Sequence, residues 1–206
     1  MWSENQPEPT LTRTRRARRE DVVRAAVEVV NAEGYAAASV DRIARRAGTT
    51  KGTVLYHFGS KQGIDEAVVA ALYEAGAAVM GERLRAAGSA REKLHVYLDA
   101  NLRFVAEHVE HVAAVQRIFF GAGPVGELDD DATAPLARIL AGGQASGELG
   151  DFDAELMALA IRAVVDRAAF RLVERPDTGL DHYVEEAVRL FDAAVAPARG
   201  TKEDLS

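Results

Sequence analysis

Thr50, Lys51, Gly52 and Thr53 stand together, with Tyr56, His57 and Lys61 close behind them. Two hydroxyls and an ammonium within one helical turn can meet the edges of paired bases. A phenol, an imidazole and a second ammonium just beyond can hold phosphate oxygens. Bond-breaking chemistry finds no such grouping in the chain. GAGPVG at 121–126 lacks the Lys-Ser/Thr that completes a phosphate-binding loop and does not follow a strand. There is no Gly-x-Ser-x-Gly elbow, no His-Glu-x-x-His and no cysteine nucleophile. No catalytic residue is expected.

The elements that must carry those side chains can be read from residues 39–61, SVDRIARRAGTTKGTVLYHFGSK. Ser39 is suited to cap a helix, and Val40, Ile43, Ala44 and Ala47 follow at helical spacing, so one face points to a core. Asp41 in the first turn and Arg45 and Arg46 in the last agree with the helix dipole. Gly48 ends this helix, where a residue without Cβ adopts positive φ cheaply. Thr49 or Thr50 caps a second helix running to Phe58, with Val54 and Phe58 inward. Gly52 costs that helix about 1 kcal/mol relative to alanine, which close approach to DNA or to a neighbouring helix would explain. Ser60 caps a third helix whose first residue, Lys61, opposes the dipole; a phosphate is the natural compensation. The sum is a helix-turn-helix whose second helix enters the major groove.

With these positions in register, the stretch from about Arg19 to Leu72 resembles the TetR family of bacterial transcriptional repressors. The resemblance is carried by Gly34-Tyr35, Ile43-Ala44, Ala47-Gly48, Lys51-Gly52-Thr53, Tyr56-His57-Phe58 and Ser60-Lys61. Gly63 stands where the family usually carries an acid, and Leu55 where many members have a second, phosphate-touching aromatic. The resulting DNA-contact set is Val40, Thr49, Thr50, Lys51, Gly52, Thr53, Leu55, Tyr56, His57 and Lys61. As hypotheses, Thr50, Lys51 and Thr53 touch bases, while Tyr56, His57 and Lys61 hold phosphates.

Charge is distributed as such a reader requires. The net charge of −7 divides into +6 over residues 10–61, −11 over residues 62–206 and −2 over residues 1–9. A cationic head on an anionic body orients the approach to phosphate. Arg13, Arg15, Arg16, Arg18 and Arg19 cluster after a polar, proline-containing tail, and residues 1–15 are expected to be a disordered, basic-ended arm. That arm could track phosphates or a minor groove, or merely solubilise the chain. Residues 16–62 form the expected DNA-binding domain, and 63–206 a ligand-binding and dimerisation domain. There are no cysteines, hence no disulfides or thiolate metal sites, and no apolar run of membrane-spanning length. A polar, then basic N-terminus without a hydrophobic leader points to the cytoplasm.

Beyond Leu72 the chain reads as helices, about nine in all, giving an all-α fold. Helix one is expected at Arg16–Glu33, burying Val23, Ala26, Val27 and Val30. Helix four carries Ile64, Val68, Leu72, Ala75 and Val79, and loops fall at 121–132 and around Pro176. The last two long helices have more apolar face than one packing partner needs, which suggests a homodimer through a four-helix interface. Its candidates are Leu156, Ala160, Ala163, Val164, Arg167, Tyr183, Ala187, Val188 and Phe191. The family resemblance implies the same dimer, and an inducer pocket among helices four to seven. Candidates to line that pocket are Tyr73, Tyr97, Asn101, Phe104, His108, Gln116, Phe119 and Phe120, although each is individually more common as core or surface. His108 and His111 could share a helical face around a metal, but an exposed polar face explains them better, and no metal is expected. The expected partners are double-stranded DNA with a pseudo-palindromic operator, a second copy of the chain and an unidentified small-molecule inducer, with no cofactor and no membrane. A body controlled by a protein partner, or an enzyme with an accessory DNA head, are the rival readings.

Overall fold

The computed structural model describes residues 13–123, 133–174 and 179–197. The expected loop beyond Gly123 and the break at Arg175-Pro176-Asp177 lie outside the described residues, as does the tail before Arg13. Among the described residues nine α-helices follow in order: α1 (Arg13–Glu33), α2 (Val40–Arg46), α3 (Lys51–Phe58), α4 (Lys61–Ala86), α5 (Ala90–Glu107), α6 (Val109–Ala122), α7 (Ala134–Ala145), α8 (Ala154–Glu174) and α9 (Leu180–Ala194). A short 3-10 turn at Tyr35–Ala37 joins α1 to α2.

Helix ends fall where the local chemistry puts them. The Ser39 hydroxyl accepts from the Arg42 N–H and the Thr50 hydroxyl from the Thr53 N–H at 3.2 Å, each satisfying one donor that the first turn leaves without a partner. Gly48 has φ +63°, which lets the chain leave α2 and start α3 within a few residues. At α5, Ser89 accepts from Glu92 N–H at 3.0 Å while the Glu92 carboxylate takes Gly88 N–H at 2.7 Å, a reciprocal cap. Asp153 caps α8 by accepting from Glu155 and Leu156, both at 3.0 Å.

The chain divides into two compact units. The first holds residues up to Ala71 together with Ala114–Gly123, and the second holds Leu72–Ala113 and the chain from Pro124 on. The units part inside α4, further along than the expected boundary after residue 62, because the buried Ile64, Val68 and Val69 of α4 belong to the first core. That core also contains Val22, Ala26 and Val30 of α1, Ile43 of α2, Val54 of α3 and Ile118 of α6. Each fully buried Ile or Val contributes about 1.5–3 kcal/mol. Val23, expected inside, is only half-buried, since Val22 takes the inward position one residue earlier. The core of the second unit is Leu94, Leu98 and Leu102 of α5, Leu136 and Leu140 of α7, and Ile161 and Val165 of α8, with Val184 and Phe191 of α9. Val79, expected on the inward stripe of α4, is 46% exposed.

Helix α1 begins at Arg13, three residues before the expected start, so Arg13 and Arg15 are helical along with Arg16, Arg18 and Arg19. Five cations at a helix N-terminus oppose its dipole. What offsets this is tertiary contact, described next.

Candidate nucleic-acid interface

Helix α3 is held by Val54, which is fully buried, and by half-buried Phe58. With these facing inward, Thr50, Lys51, Gly52 and Tyr56 are exposed, while Thr49, Thr53, Leu55 and His57 are half-buried. Val40, at the start of α2, is half-buried. Thr50 and Thr53 pair through their hydroxyls at 3.0 Å, one turn apart at the head of the helix. Lys51 Nζ donates to Asp41 of α2 at 3.0 Å. Both members are more than half exposed (55% and 58%), so the pair contributes little and exchanges readily for another anion. A Cβ added to Gly52 would meet nothing nearer than Thr50 Oγ1 at 3.8 Å. Packing against a neighbouring helix is therefore not the reason for glycine.

The far end of α3 is fastened to α1. Arg19 Nη1 donates to the His57 carbonyl at 2.6 Å, and its guanidinium lies 4.5 Å from the centre of the Phe58 ring. This satisfies a carbonyl that the last turn leaves over and places a cation at the negative end of the dipole. Arg15 Nη2 donates to the Tyr56 hydroxyl at 3.1 Å. Partial burial first, then the charges of Arg15, Arg19 and Arg18, hold the His57 imidazole below its ordinary pKa of 6.5. A positive field surrounds this end of the helix. Sequence reading missed Arg15 and Arg19 as partners of α3; the signal was their spacing four apart, in phase with buried Val22 and Ala26.

Lys61 has an employment that the sequence did not show. Its ammonium donates to Asp65 one turn on and stands 4.4 Å from the centre of the Tyr35 ring. Asp65 is 2% exposed, and its other oxygen accepts from the Tyr35 hydroxyl at 3.0 Å. Burial, then the hydrogen bond and charge of Asp65, push the Tyr35 phenol up to about 12. Gly63 fits the same tight corner: a Cβ there would lie 2.0 Å from the Phe58 carbonyl oxygen, and its N–H donates to Ser60 Oγ at 3.0 Å. A side chain at this position would require the α3–α4 turn to open.

The residues expected to line a ligand pocket are divided between the units. Tyr73, Tyr97, Asn101, Phe104 and His108 belong to the second unit, and Gln116, Phe119 and Phe120 to the first. Phe120 is 89% exposed and so does not line an interior. The Asn101 amide is taken up by the Tyr97 carbonyl at 2.8 Å and the Met80 sulfur at 2.7 Å. His108 stacks on Phe104 at 4.1 Å between ring centres and bonds the Phe104 carbonyl, ending α5. Tyr97 is buried, which raises its phenol pKa, and Tyr73 meets a residue not foreseen. Arg162 of α8 approaches the Tyr73 hydroxyl at 3.4 Å and pairs with Asp166 at 2.9 Å. Although burial disfavours its charge, Asp166 and the tyrosines raise the Arg162 pKa and keep the guanidinium charged. An open groove of about 600 Å³ in the second unit is lined elsewhere, by Ser89, Lys93, Arg138, Ser146 and Glu148 among others. Its carboxylate is already spent: Glu148 accepts the N–H groups of Ala90 and Arg91 at 2.9 Å each.

Of the expected dimer residues, Leu156 is 63% exposed and Ala160, Ala163 and Arg167 are exposed, while Val164, Tyr183 and Val188 are half-buried. Ala187 and Phe191 are buried within the subunit at 5% exposure each and offer no surface to a partner. Helical phase turns them inward with Val184, leaving Leu190 59% exposed on the outer side of α9, and Leu159 of α8 is 57% exposed.

With this geometry in place, comparison with known proteins is informative. Residues 22–68 match the family model described as bacterial regulatory proteins, tetR family. The chain is 34% identical over 85 residues to the HTH-type transcriptional regulator BetI 1 of Chromohalobacter salexigens, covering 41% of this chain and 42% of that protein. It is 44% identical over 52 residues to the HTH-type transcriptional regulator SrpR of Pseudomonas putida, covering 25% and 24%. The matched stretch thus spans less than half the length of these curated relatives. Among solved structures, the transcriptional regulator FadR from Bacillus subtilis, in complex with stearoyl-CoA, superposes with TM-score 0.74 at 22% identity over 85% of this chain and 98% of that one. The fatty acid degradation regulator FadR from Bacillus halodurans gives 0.73 at 20% identity over 84% and 93%. At these identities the likeness shows a shared fold.

Proposed function

We propose, from the premise that the helix-turn-helix of this chain belongs to the TetR family of bacterial regulators, that the protein is a homodimeric, sequence-specific DNA-binding repressor released by a small molecule. The observation that carries this reading is α3 itself. Thr50, Lys51 and Thr53 are presented at its N-terminal end, where Lys51 pairs with the exchangeable Asp41. Those three would meet base edges, with Val40, Thr49 and Leu55 at the margin, while Tyr56 and His57 would hold phosphates. Gly52 would let the helix backbone approach the groove closely. Lys61 would reach phosphate only by sharing itself with Asp65, so its larger role is to hold the α3–α4 corner.

One helix of this length reads few base pairs, and the exposed leucines of α8 and α9 favour pairing with a second copy. Two recognition helices would then lie roughly 34–36 Å apart and read half-sites about 10 bp apart. For the effector, the supporting observation is the polar interior of the second unit, where Tyr97, Asn101 and Arg162 meet among apolar side chains. A ligand drawn to Arg162 would compete with Tyr73 on α4, the helix that begins at Lys61, and would shift a binding equilibrium only by preferring the non-binding state. Blocking polymerase at a promoter would make the protein a repressor.

Selection of bound duplexes from a random pool by the purified chain, followed by footprinting of the winners, tests the reading. The expected result is a pseudo-palindrome protected on two successive major grooves. A monomer in solution with no preference over random duplex would overturn it.

A further inference from the structure

We infer that the first two turns of α1 are a second DNA-contacting element, in which Arg15 and Arg18 grip the phosphate backbone beside the groove that α3 enters. This rests on the proposed reading that α3 faces duplex DNA, and adds a surface which that reading does not assign.

Helix α1 opens with Arg13, Arg15, Arg16, Arg18 and Arg19 and has no acid in its first turn. Cations at the positive end of a helix dipole, three and four residues apart from one another, repel both the dipole and each other. A merely solvated basic tail has no reason to fold into this conformation, and less reason to be fastened.

Fastened it is, on one side. Arg15, Arg18 and Arg19 share a helical face with Val22, which is fully buried. Arg19 holds the His57 carbonyl, and Arg15 holds the Tyr56 hydroxyl. The basic face is thereby laid along the C-terminal half of α3, directly after the residues placed to meet bases. Tyr56 is 72% exposed, Arg15 is exposed against it, and Arg18 is exposed one turn further along α1. The field of Arg15, Arg19 and Arg18 is felt at His57. Two guanidiniums, a phenol and an imidazole on adjoining helices form a row of donors for consecutive phosphate oxygens. Arg19 is the latch of this arrangement, since its guanidinium is spent on the end of α3.

The same helix supplies its own control. Arg16 stands off that face and is matched with Glu20 at 3.8 Å, and Arg13 lies roughly opposite Arg15 around the helix. Removing Arg13 and Arg16 deletes the same charge from the wrong side.

Binding of the full chain to a fluorescent random-sequence duplex, followed by anisotropy across a salt series, decides the matter without knowledge of the operator. The double variant Arg15→Gln/Arg18→Gln is expected to make the slope of log affinity against log salt shallower by about 2 per bound subunit, at about 0.9 per lost phosphate contact. The variant Arg13→Gln/Arg16→Gln should shift it by only a small fraction of that. Arg15→Lys/Arg18→Lys, which keeps the charges, should restore most of the slope, and also guards against a folding defect in the glutamine variant. Equal shifts from both glutamine variants would overturn the inference in favour of a general charge effect. A wild-type chain that binds with its full slope retained in Arg15→Gln/Arg18→Gln would place α1 off the DNA. A wild-type chain with no salt-dependent affinity for duplex would overturn the proposed function itself, and this inference with it.

Discussion

Each compact unit contains a base and an acid four residues apart on one helix, with a tyrosine from elsewhere against the base. In the first unit it is Lys61, Asp65 and Tyr35; in the second, Arg162, Asp166 and Tyr73. The pattern is the same and the burial is inverted. Asp65 is 2% exposed while Lys61 keeps 26%, so the acid is inside and the base guards it. Arg162 keeps 24%, much as Lys61 does, while Asp166 keeps 42%, so there the acid is the more exposed member. A buried carboxylate tied to a cation and a phenol is a fastening, and it holds the corner between α3 and α4. A guanidinium paired with a solvent-exposed carboxylate is held less firmly than one paired with a buried carboxylate.

Removing each base tests that contrast most directly. Lys61→Ala strands Asp65 without its counter-charge and is expected to cost about 3–5 kcal/mol. Arg162→Ala removes a partner from an Asp166 that solvent already reaches, so the loss is mainly the packing of the long stem, about 1 kcal/mol. Denaturant unfolding followed by circular dichroism measures both. Asp65→Asn added to Lys61→Ala should recover a large part of the loss, because the stranded charge is gone. Equal costs at the two sites would mean that the burial contrast carries no energetic weight.

Glycines make the second contrast. Gly143 of α7 is buried, and a Cβ there would come within 2.6 Å of Leu149 Cδ1 and of Ala90 Cβ. A Cβ at Gly52 would make only ordinary contact, with Thr50 Oγ1 at 3.8 Å. Alanine at 143 is therefore expected to destabilise by about 1–3 kcal/mol through overpacking, and alanine at 52 to stabilise by about 0.8–1 kcal/mol through helix propensity. Gly52→Ala should also weaken duplex binding, by about tenfold, equivalent to about 1.4 kcal/mol. A Gly52→Ala protein that melts higher and binds DNA as tightly as before would remove close approach as the reason for that glycine.

These contrasts also mark what was legible in the sequence. Helix α3 and its caps were legible because Ser39, Gly48 and Thr50 act on backbone groups two to four residues away. The i,i+4 pairs are visible in the sequence as well, but their burial is not. Tyr35 lies 30 residues from Asp65 and Tyr73 lies 89 from Arg162, so the third member of each cluster arrives only with the fold. The start of α1 was placed three residues late because Arg13 and Arg15 follow a polar, proline-containing tail, and the contacts to Tyr56 and His57 that fasten it are likewise distant. On α9 the apolar stripe was recognised but not its phase, so Ala187 and Phe191 were assigned outward when Val184 shows which side is the core.

The tyrosine of the first cluster extends the comparison to alkaline pH. Its phenol is raised from 10.0 to about 12, by burial first and by Asp65 next. A group with a raised folded pKa contributes stability that is complete below its unfolded value. That contribution is lost as pH climbs through the folded one. The first unit should therefore lose stability between pH 10 and about 12. Tyr35→Phe should flatten that part of the stability–pH curve while lowering its neutral plateau, since Asp65 then lacks one donor. Ultraviolet absorbance of phenolate against pH, compared between the wild-type chain and Tyr35→Phe, follows the group itself. A difference spectrum that develops near pH 10 would show Tyr35 to be unconstrained.

A carboxylate held without any tyrosine completes the series at its weakest end. Glu148 spans from the turn after α7 to the N-terminus of α5, where the N–H groups of Arg91 and Ala90 hold its pKa below the ordinary value of 4.5. A depressed folded pKa reverses the sign found at Tyr35: the stability is present above the unfolded value and disappears as pH falls through the folded one. Solvent reaches this carboxylate, so the effect should be the smallest of the set, visible as a lower melting temperature of the second unit below about pH 4.5. Glu148→Gln keeps the shape and one acceptor but loses the charge that the two N–H groups favour. It should melt slightly lower at neutral pH and match the wild-type chain in acid. Curves that stay parallel through the acid range would show that the two N–H groups at α5 gain nothing from the charge, leaving Glu148 as a spacer between α7 and α5.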